Sequence, residues 1–242
     1  IAFKNPMFPD VPYSVKPDLT RSLAPLVAGD CPPEFRAAKQ RELQGPLRAD
    51  LIGELGIASV GLELLAERLG MPGASLENLA MNCAEDLALL HNGILVAIAF
   101  AFPSGFKPCE KLGLDFAAVH APVADSEALR AASAGITAAM KRTAANFERG
   151  VWTLTSLGTL SQHPSYPRPR ARHESDLWFR SEFQVLQSLG GDWTAFSVRV
   201  RMEPWPSIAG PERERIKSSL ASMSAASRTY KNLHEIAALL GV

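Results

Sequence analysis

Residues 86–102 read Asp-Leu-Ala-Leu-Leu-His-Asn-Gly-Ile-Leu-Val-Ala-Ile-Ala-Phe-Ala-Phe. Asn92-Gly93 is a favoured two-residue hairpin turn, because both central positions need φ > 0 and these residue types tolerate it. It separates a strand over 86–90 from a return strand over 94–102. The return strand is apolar throughout and too short to cross a bilayer as a helix, so it belongs mid-sheet with both faces covered. A second hairpin follows at 175–202. Leu177, Phe179, Phe183 and Val185 share one face of its first arm, and Arg180, Glu182 and Gln184 share the other with Trp178 and Leu186. Gly190-Gly191-Asp192 turns the chain, and Phe196, Val198 and Val200 give the returning strand, 193–202, an apolar face.

Around these hairpins the 3.6-residue period takes over. Residues 34–47 read as a helix, and 49–69 as a longer one with Leu51, Leu55, Leu62, Leu65 and Leu69 in a stripe. Glycines at 53, 56 and 61 weaken that second helix by about 1 kcal/mol each relative to alanine. Gly70 suits its C-terminal cap and Pro72 bars continuation. Residues 125–147 read as one amphipathic helix, capped by Asp125 or Ser126, striped by Leu129, Ala132, Ile136, Met140 and Phe147, and ended by Gly150. A strand is expected over 151–157, a loop over 161–174, and two closing helices over 211–224 and 226–240. The proline-rich residues 1–35 read as an extended arm. No strand–helix–strand repeat and no Gly-rich phosphate loop occurs. The expected fold is therefore α+β, with an antiparallel sheet of about five strands, in one domain over 1–242. Residues 1–75 supply the arm and first helices, 76–205 the sheet core and 206–242 the closing helices.

Bulk properties narrow the function. The 242 residues hold 25 Lys+Arg and 25 Asp+Glu, a formal net charge of zero, which removes the general electrostatic case for nucleic acid or an anionic membrane as partner. Cys31, Cys83 and Cys109 form no C-x-x-C pair, and their odd number does not suggest a disulfide framework. A reduced, cytoplasmic setting is the simplest expectation. The first residues lack a basic region followed by an apolar core, so no signal peptide is expected.

Residues 103–123 read Pro-Ser-Gly-Phe-Lys-Pro-Cys-Glu-Lys-Leu-Gly-Leu-Asp-Phe-Ala-Ala-Val-His-Ala-Pro-Val. His120 stands among apolar neighbours, Phe116, Val119 and Val123. Taken alone, it is either a metal ligand or a partly buried histidine hydrogen-bonded to backbone. Arg180, Glu182 and Gln184 point either into a pocket or into a solvated cross-strand network. Glu85 and Asp86 are adjacent and face opposite ways on a strand, so they do not form an acid/base pair; one of them is expected to support the loop at 103–113. His91 is the second ligand candidate, beside a turn, while His163, His173 and His234 read as surface residues. Cys109 reads as a free thiol.

Several short segments in a fixed order carry a resemblance. They are Lys39 to Leu43; Glu85-Asp86 with the strand after it; Pro103-Ser104, Pro108 and Glu110-Lys111-Leu112-Gly113; His120-Ala121-Pro122-Val123; Trp152; and Arg180, Glu182, Gln184 and Leu186 at alternate positions. Together they resemble the haem-binding oxygenase subunit of the haem-dependent oxidative N-demethylase family, whose fold is PAS-like. Phe106, Val151, Phe183 and Gly190-Gly191 stand where that family usually has tryptophan, asparagine, arginine and a Leu-Pro-like turn.

The resemblance implies a PAS-like sheet with added helices that holds haem b. His120 would be the proximal iron ligand, Phe116 and Val123 apolar walls, and Arg180 and Lys111 (with Lys107 as a further candidate) partners of the propionates. It implies O2 as co-substrate and electrons from an external flavin/iron–sulfur reductase, since the chain has no such motif of its own. The substrate would be a small secondary amine like dimethylamine, demethylated oxidatively, with Glu182 receiving the cationic amine and Gln184 beside it. The alternative is a haem or small-molecule sensor or binding protein on the same fold, or a haem-free relative. The closing helices offer a surface for a homo-oligomer.

Overall fold

The protein is described by a computed structural model covering residues 9–29, 31–142 and 146–242. Among the described residues, seven strands form one sheet: β1 (Thr20–Ser22), β2 (Ile52–Glu54), β3 (Asp86–His91), β4 (Ile94–Ala99), β5 (Asn146–Thr155), β6 (Trp178–Gly190) and β7 (Trp193–Pro204). Their order is β1-β5-β6-β7-β3-β4-β2, and every pairing is antiparallel. The α+β class is therefore as expected. The two strands beyond the expected five are three-residue edge pieces, too short to show a period.

Both hairpins form where the turn chemistry placed them. Asn92 and Gly93 sit at φ 53° and 79°, and Gly190 and Gly191 at 105° and 54°. The two hairpins join through β3 and β7, with Asp86 opposite Val198 and His91 opposite Trp193.

The helices depart from expectation in two places. The stretch 49–69 is not one helix. It is α2 (Arg48–Leu51), then β2, a 3-10 turn at Gly56–Ala58, and α3 (Ser59–Arg68). Gly53 lies in β2 opposite Ile98, and a Cβ there would stand 3.1 Å from Cys109 Sγ and 3.2 Å from Leu112 Cδ1. The leucine stripe was real, but sheet pairing and this close approach outweighed helix propensity. Gly61 does stay helical, and a Cβ on it would meet the Trp193 ring at 2.3 Å.

The stretch 125–147 is likewise split. α5 (Phe116–Val119) precedes it, α6 (Glu127–Ala131) and α7 (Ser133–Arg142) follow, and β5 already begins at Asn146. Residues 143–145 of that stretch lie outside the described residues. Phe147 is in β5, paired with Arg21 and Leu186, and Gly150 pairs with Phe183 instead of ending a helix. Asp125 does not cap α6; at φ 56° it accepts from the hydroxyls of Ser224 and Ser227.

The remaining helices are α1 (Pro33–Leu43), α4 (Leu76–Asn82), α8 (Gly210–Ala221), α9 (Ala225–Tyr230) and α10 (His234–Leu239). The larger core joins α1, α3 and α4 to β3, β4 and β7 through Leu43, Leu65, Leu79, Leu87 and Ala195. A second core seats α8 and α10 on Trp152, Leu154, Leu177 and Phe179.

A buried polar network ties α1 to the sheet. The side chains of Lys39 and Asp86 are 0% and 1% exposed, with Nζ 3.6 Å from Oδ1. Lys39 also donates to the carbonyls of Ala80, at 3.0 Å, and Glu85. Asp86 accepts from the N–H groups of Ala101 and Phe102, both at 2.9 Å. It is thus the acidic residue that supports the start of the 103–113 loop. Glu85 instead accepts from Arg199 and from the Ala28 N–H, both at 3.1 Å.

Burial pushes the Asp86 carboxyl up to about 6, against the opposing pull of Lys39 and the two N–H groups. A folded-state value raised above the unfolded one gives stability that is present at low pH and lost as pH rises through the folded value. Urea unfolding should therefore show the stability of wild type relative to Asp86→Asn falling between about pH 4 and pH 6. A flat difference would contradict the raised value. At pH 7, Lys39→Met should cost about 3–5 kcal/mol, because it leaves the Ala80 and Glu85 carbonyls without their buried donor and Asp86 without its counter-charge.

Candidate functional site

The site is built on one face of the β5–β6–β7 ribbon. Residues directly opposite in an antiparallel pair share a face. Arg180, Glu182 and Gln184 lie opposite Thr153, Val151 and Arg149 of β5, and opposite Met202, Val200 and Val198 of β7. Arg180 is buried at 1% exposure, and the Glu182 side chain is 13% exposed.

The polar triplet is a tightly closed network. Arg180 Nη1 donates to Glu182 Oε1 and to Ser104 Oγ, and Nη2 donates to the Phe102 carbonyl at 2.7 Å. Ser104 donates to Glu182 Oε1 at 2.7 Å, and Gln184 Nε2 donates to Glu182 Oε2 at 2.8 Å. Burial works to raise the Glu182 carboxyl, but Arg180, Ser104 and Gln184 together hold it below the usual range, so it is anionic. Oε1 accepts two hydrogen bonds and Oε2 one, which leaves one lone pair on Oε2.

The helical side of the site carries His120. Asp115 caps α5 by accepting from the Ala118 N–H at 2.7 Å. His120 is the residue after the helix, and its Nδ1 lies 2.7 Å from the Phe116 carbonyl. A carbonyl partner requires the proton on Nδ1, so Nε2 keeps its lone pair. The imidazole stacks on the Phe116 ring at 4.1 Å between centroids. Burial, the largest effect, lowers its pKa, as do the charges of Arg149 and Lys111. The ring is therefore neutral at pH 7, the form that ligates a metal. Phe116, Lys111 and Val123 are half-buried around it. α7 lies over β6 and β7, leaving a cavity of about 20 Å³ lined by Leu90, Phe116, Ile136, Met140, Leu186 and Thr194. This is room for a water-sized group; a larger ligand on this face must displace α5 and α7.

Two cations that sequence reasoning passed over stand at the β5 edge. Arg149 falls between the expected helix, 125–147, and the glycine expected to end it, Gly150. The register makes it the strand neighbour of Gln184, and its charge acts on both Glu182 and His120. Its Nε is buried with no hydrogen-bond partner among the described residues. Lys231 donates to the Trp152 carbonyl at 2.9 Å and lies over the Tyr13 ring. Burial pulls its ammonium down to about 8. Extending the alternation of 151–157 backward by two residues would have pointed to Arg149; no local signal marked Lys231.

The other histidines sort differently from expectation in one case. His163 is buried, not a surface residue. Its Nδ1 accepts from the Ser165 N–H at 3.2 Å, and Nε2 faces Asp50 at 3.3 Å, beside the Lys107–Asp50 pair. That cluster anchors the loop whose Gln162 exchanges backbone hydrogen bonds with Pro103 and Gly105, on either side of Ser104. Lys107 is thereby engaged away from His120. His91 stacks on Trp193 at 4.3 Å, and His173 and His234 are exposed. Cys31, Cys83 and Cys109 are free thiols. Among the described residues, no group of three or more His, Cys, Asp or Glu could hold a metal ion, and no helix is long and apolar enough to cross a membrane. A haem iron needs no such cluster, since its porphyrin supplies the equatorial ligands.

Fold and site together define an antiparallel α+β protein with one neutral imidazole beside a guanidinium-lined sheet face. A family model described as haem-dependent oxidative N-demethylase, alpha subunit-like, matches residues 46–240, and the chain belongs to that family. Comparison with curated proteins finds no match. The family description carries haem dependence. The donor set here fits that group: His120 is neutral with no hydrogen bond to Nε2 among the described residues, and the buried Nε–H groups of Arg149 and Arg180 lack acceptors among them.

Replacing Glu182 with Gln should leave the Arg180 guanidinium buried without its counter-charge. Chemical denaturation at pH 7 should show a loss of about 3 kcal/mol or more. A loss under about 1 kcal/mol would mean that the pair is solvated.

Proposed function

We propose that this chain is the haem-binding oxygenase subunit of an enzyme that demethylates a small secondary amine. The observation that carries this reading is the His120 imidazole, fixed through Nδ1 by the Phe116 carbonyl with Nε2 left to a metal. A backbone-anchored Nδ1–H is the usual companion of a metal-ligating Nε2. The helices inserted between β4 and β5, over one antiparallel sheet, support the PAS-like reading of the fold.

In this reading His120 would hold the iron, and Phe116 and Val123 would supply apolar walls that exclude water. The haem supplies the activation of O2 and the acceptance of electrons. The overall reaction takes a secondary methylamine, O2, two electrons and two protons to a primary amine, formaldehyde and water. An external flavin/iron–sulfur reductase is the class of partner that would provide the electrons. Glu182 remains anionic, and the free lone pair on Oε2 accepts an N–H of the amine. Arg180, Ser104 and Gln184 hold that carboxylate in place. Because Arg180 already neutralises much of its charge, Glu182 orients the amine more than it attracts it.

Reconstitution with haem tests this reading. Wild type should give a sharp Soret band that shifts on reduction and on CO addition, and His120→Ala should lose or broaden it while keeping its far-UV circular dichroism. With a chemical or enzymatic reductant and O2, dimethylamine should yield formaldehyde, and Glu182→Gln should lower the rate at least about tenfold. Failure of wild type to bind haem stoichiometrically would remove the oxygenase reading.

A further inference from the structure

The site face holds more hydrogen-bond donors than it has acceptors for. Arg180 uses Nη1 and Nη2 on Glu182, Ser104 and the Phe102 carbonyl, yet its Nε is buried with no partner among the described residues. Arg149 Nε is in the same condition, and no ion pair among the described residues involves Arg149. The carboxylates near it are committed elsewhere. Glu182 has one lone pair left, and Asp18, which acts on Arg149 electrostatically, lies 3.7 Å from Lys16. Glu148 accepts from Ser22 on the opposite side of β5. Lys231 adds a third cation beside this set.

A buried donor without an acceptor costs roughly 1–3 kcal/mol, and more when it is charged. Two such donors on one sheet face, opposite the cavity-bearing helices, are a site waiting for an anion. We propose that Arg149 binds a carboxylate of the ligand that occupies this face, as a guanidinium–carboxylate pair, with Arg180 Nε as the neighbouring donor. The planar fork of arginine suits a carboxylate better than any other biological anion of this size, apart from phosphate. Two sources share this chemistry. One is a propionate of the porphyrin, which rests on the haem reading. The other is a carboxylate on the amine substrate itself, which would make the substrate an N-methyl amino acid and does not depend on that reading.

The experiment measures binding of haem, haem dimethyl ester, N-methylglycine and dimethylamine to wild type, Arg149→Lys and Arg149→Gln. Porphyrins are followed by absorption titration and the amines by thermal shift of the apoprotein. If Arg149 meets a propionate, wild type binds haem at least about tenfold more tightly than its diester. Arg149→Gln loses that preference, and Arg149→Lys keeps part of it. If Arg149 meets a substrate carboxylate, Arg149→Gln leaves any preference of wild type for haem over its diester unchanged. N-methylglycine then raises the melting temperature while dimethylamine does not, and Arg149→Gln abolishes the shift. The proposal is overturned if wild type shows neither discrimination, or if Arg149→Gln retains every discrimination that wild type shows. Should wild type bind neither porphyrin, the haem reading fails on its own and the amine arm alone decides the carboxylate site. Arg149→Lys, which keeps the charge but not the planar fork, serves as the second variant should Arg149→Gln fold poorly.

Discussion

Phe102 joins two buried charge networks through its backbone. Its N–H donates to Asp86, and its carbonyl accepts from Arg180. Asp86 is in turn held by Lys39 from α1, and Arg180 by Glu182 and Ser104. One peptide segment at the end of the β3–β4 hairpin thus fixes a helix on one side and the polar triplet of β6 on the other. Both networks are expensive to bury and are offset only while each partner stays in place. Shifting the 101–104 segment would break hydrogen bonds in both at once.

That constraint explains why the loop after β4 carries so much of the site. Ser104 is held between Gln162 and the Arg180–Glu182 pair, and Gln162 is itself anchored through the His163–Asp50 contact. The loop leads into α5, whose last turn presents His120. A fixed start at Phe102 and a capped helix at Asp115 bracket the path between them. The geometry of the imidazole relative to the sheet face follows from these two anchors.

Much of this was legible in the sequence, for identifiable reasons. Asn92-Gly93 and Gly190-Gly191 specify φ > 0 locally, so both hairpins could be placed. Period-two alternation over β6 assigned Arg180, Glu182 and Gln184 to one face, and the register bears that out. The short matches from Glu85 to Leu186 pointed to the family, and the family model confirms it. The errors have equally local causes. Leu55 to Leu69 and Leu129 to Phe147 do carry helical stripes, but Gly53 and Phe147 belong to strands whose partners are distant in the chain. His163 looked exposed because it sits in a proline- and arginine-rich loop. Its burial comes from Asp50 and the 103–105 segment, both far from it in sequence.

By itself, the sequence determined the elements whose signals are short-range: two glycine-turned hairpins, the alternating face of β6, and the membership of the chain. Only the tertiary structure decided how these meet. That Arg149 stands beside Gln184, that Glu182 is already paired on three sides, and that Lys39 lies against Asp86 are consequences of strand register and helix packing. Each joins residues far apart in the chain, and no window along it contains both partners. Charge and hydrogen-bond satisfaction are properties of such pairs, so the electrostatic character of the site could be read only after the sheet had brought them together.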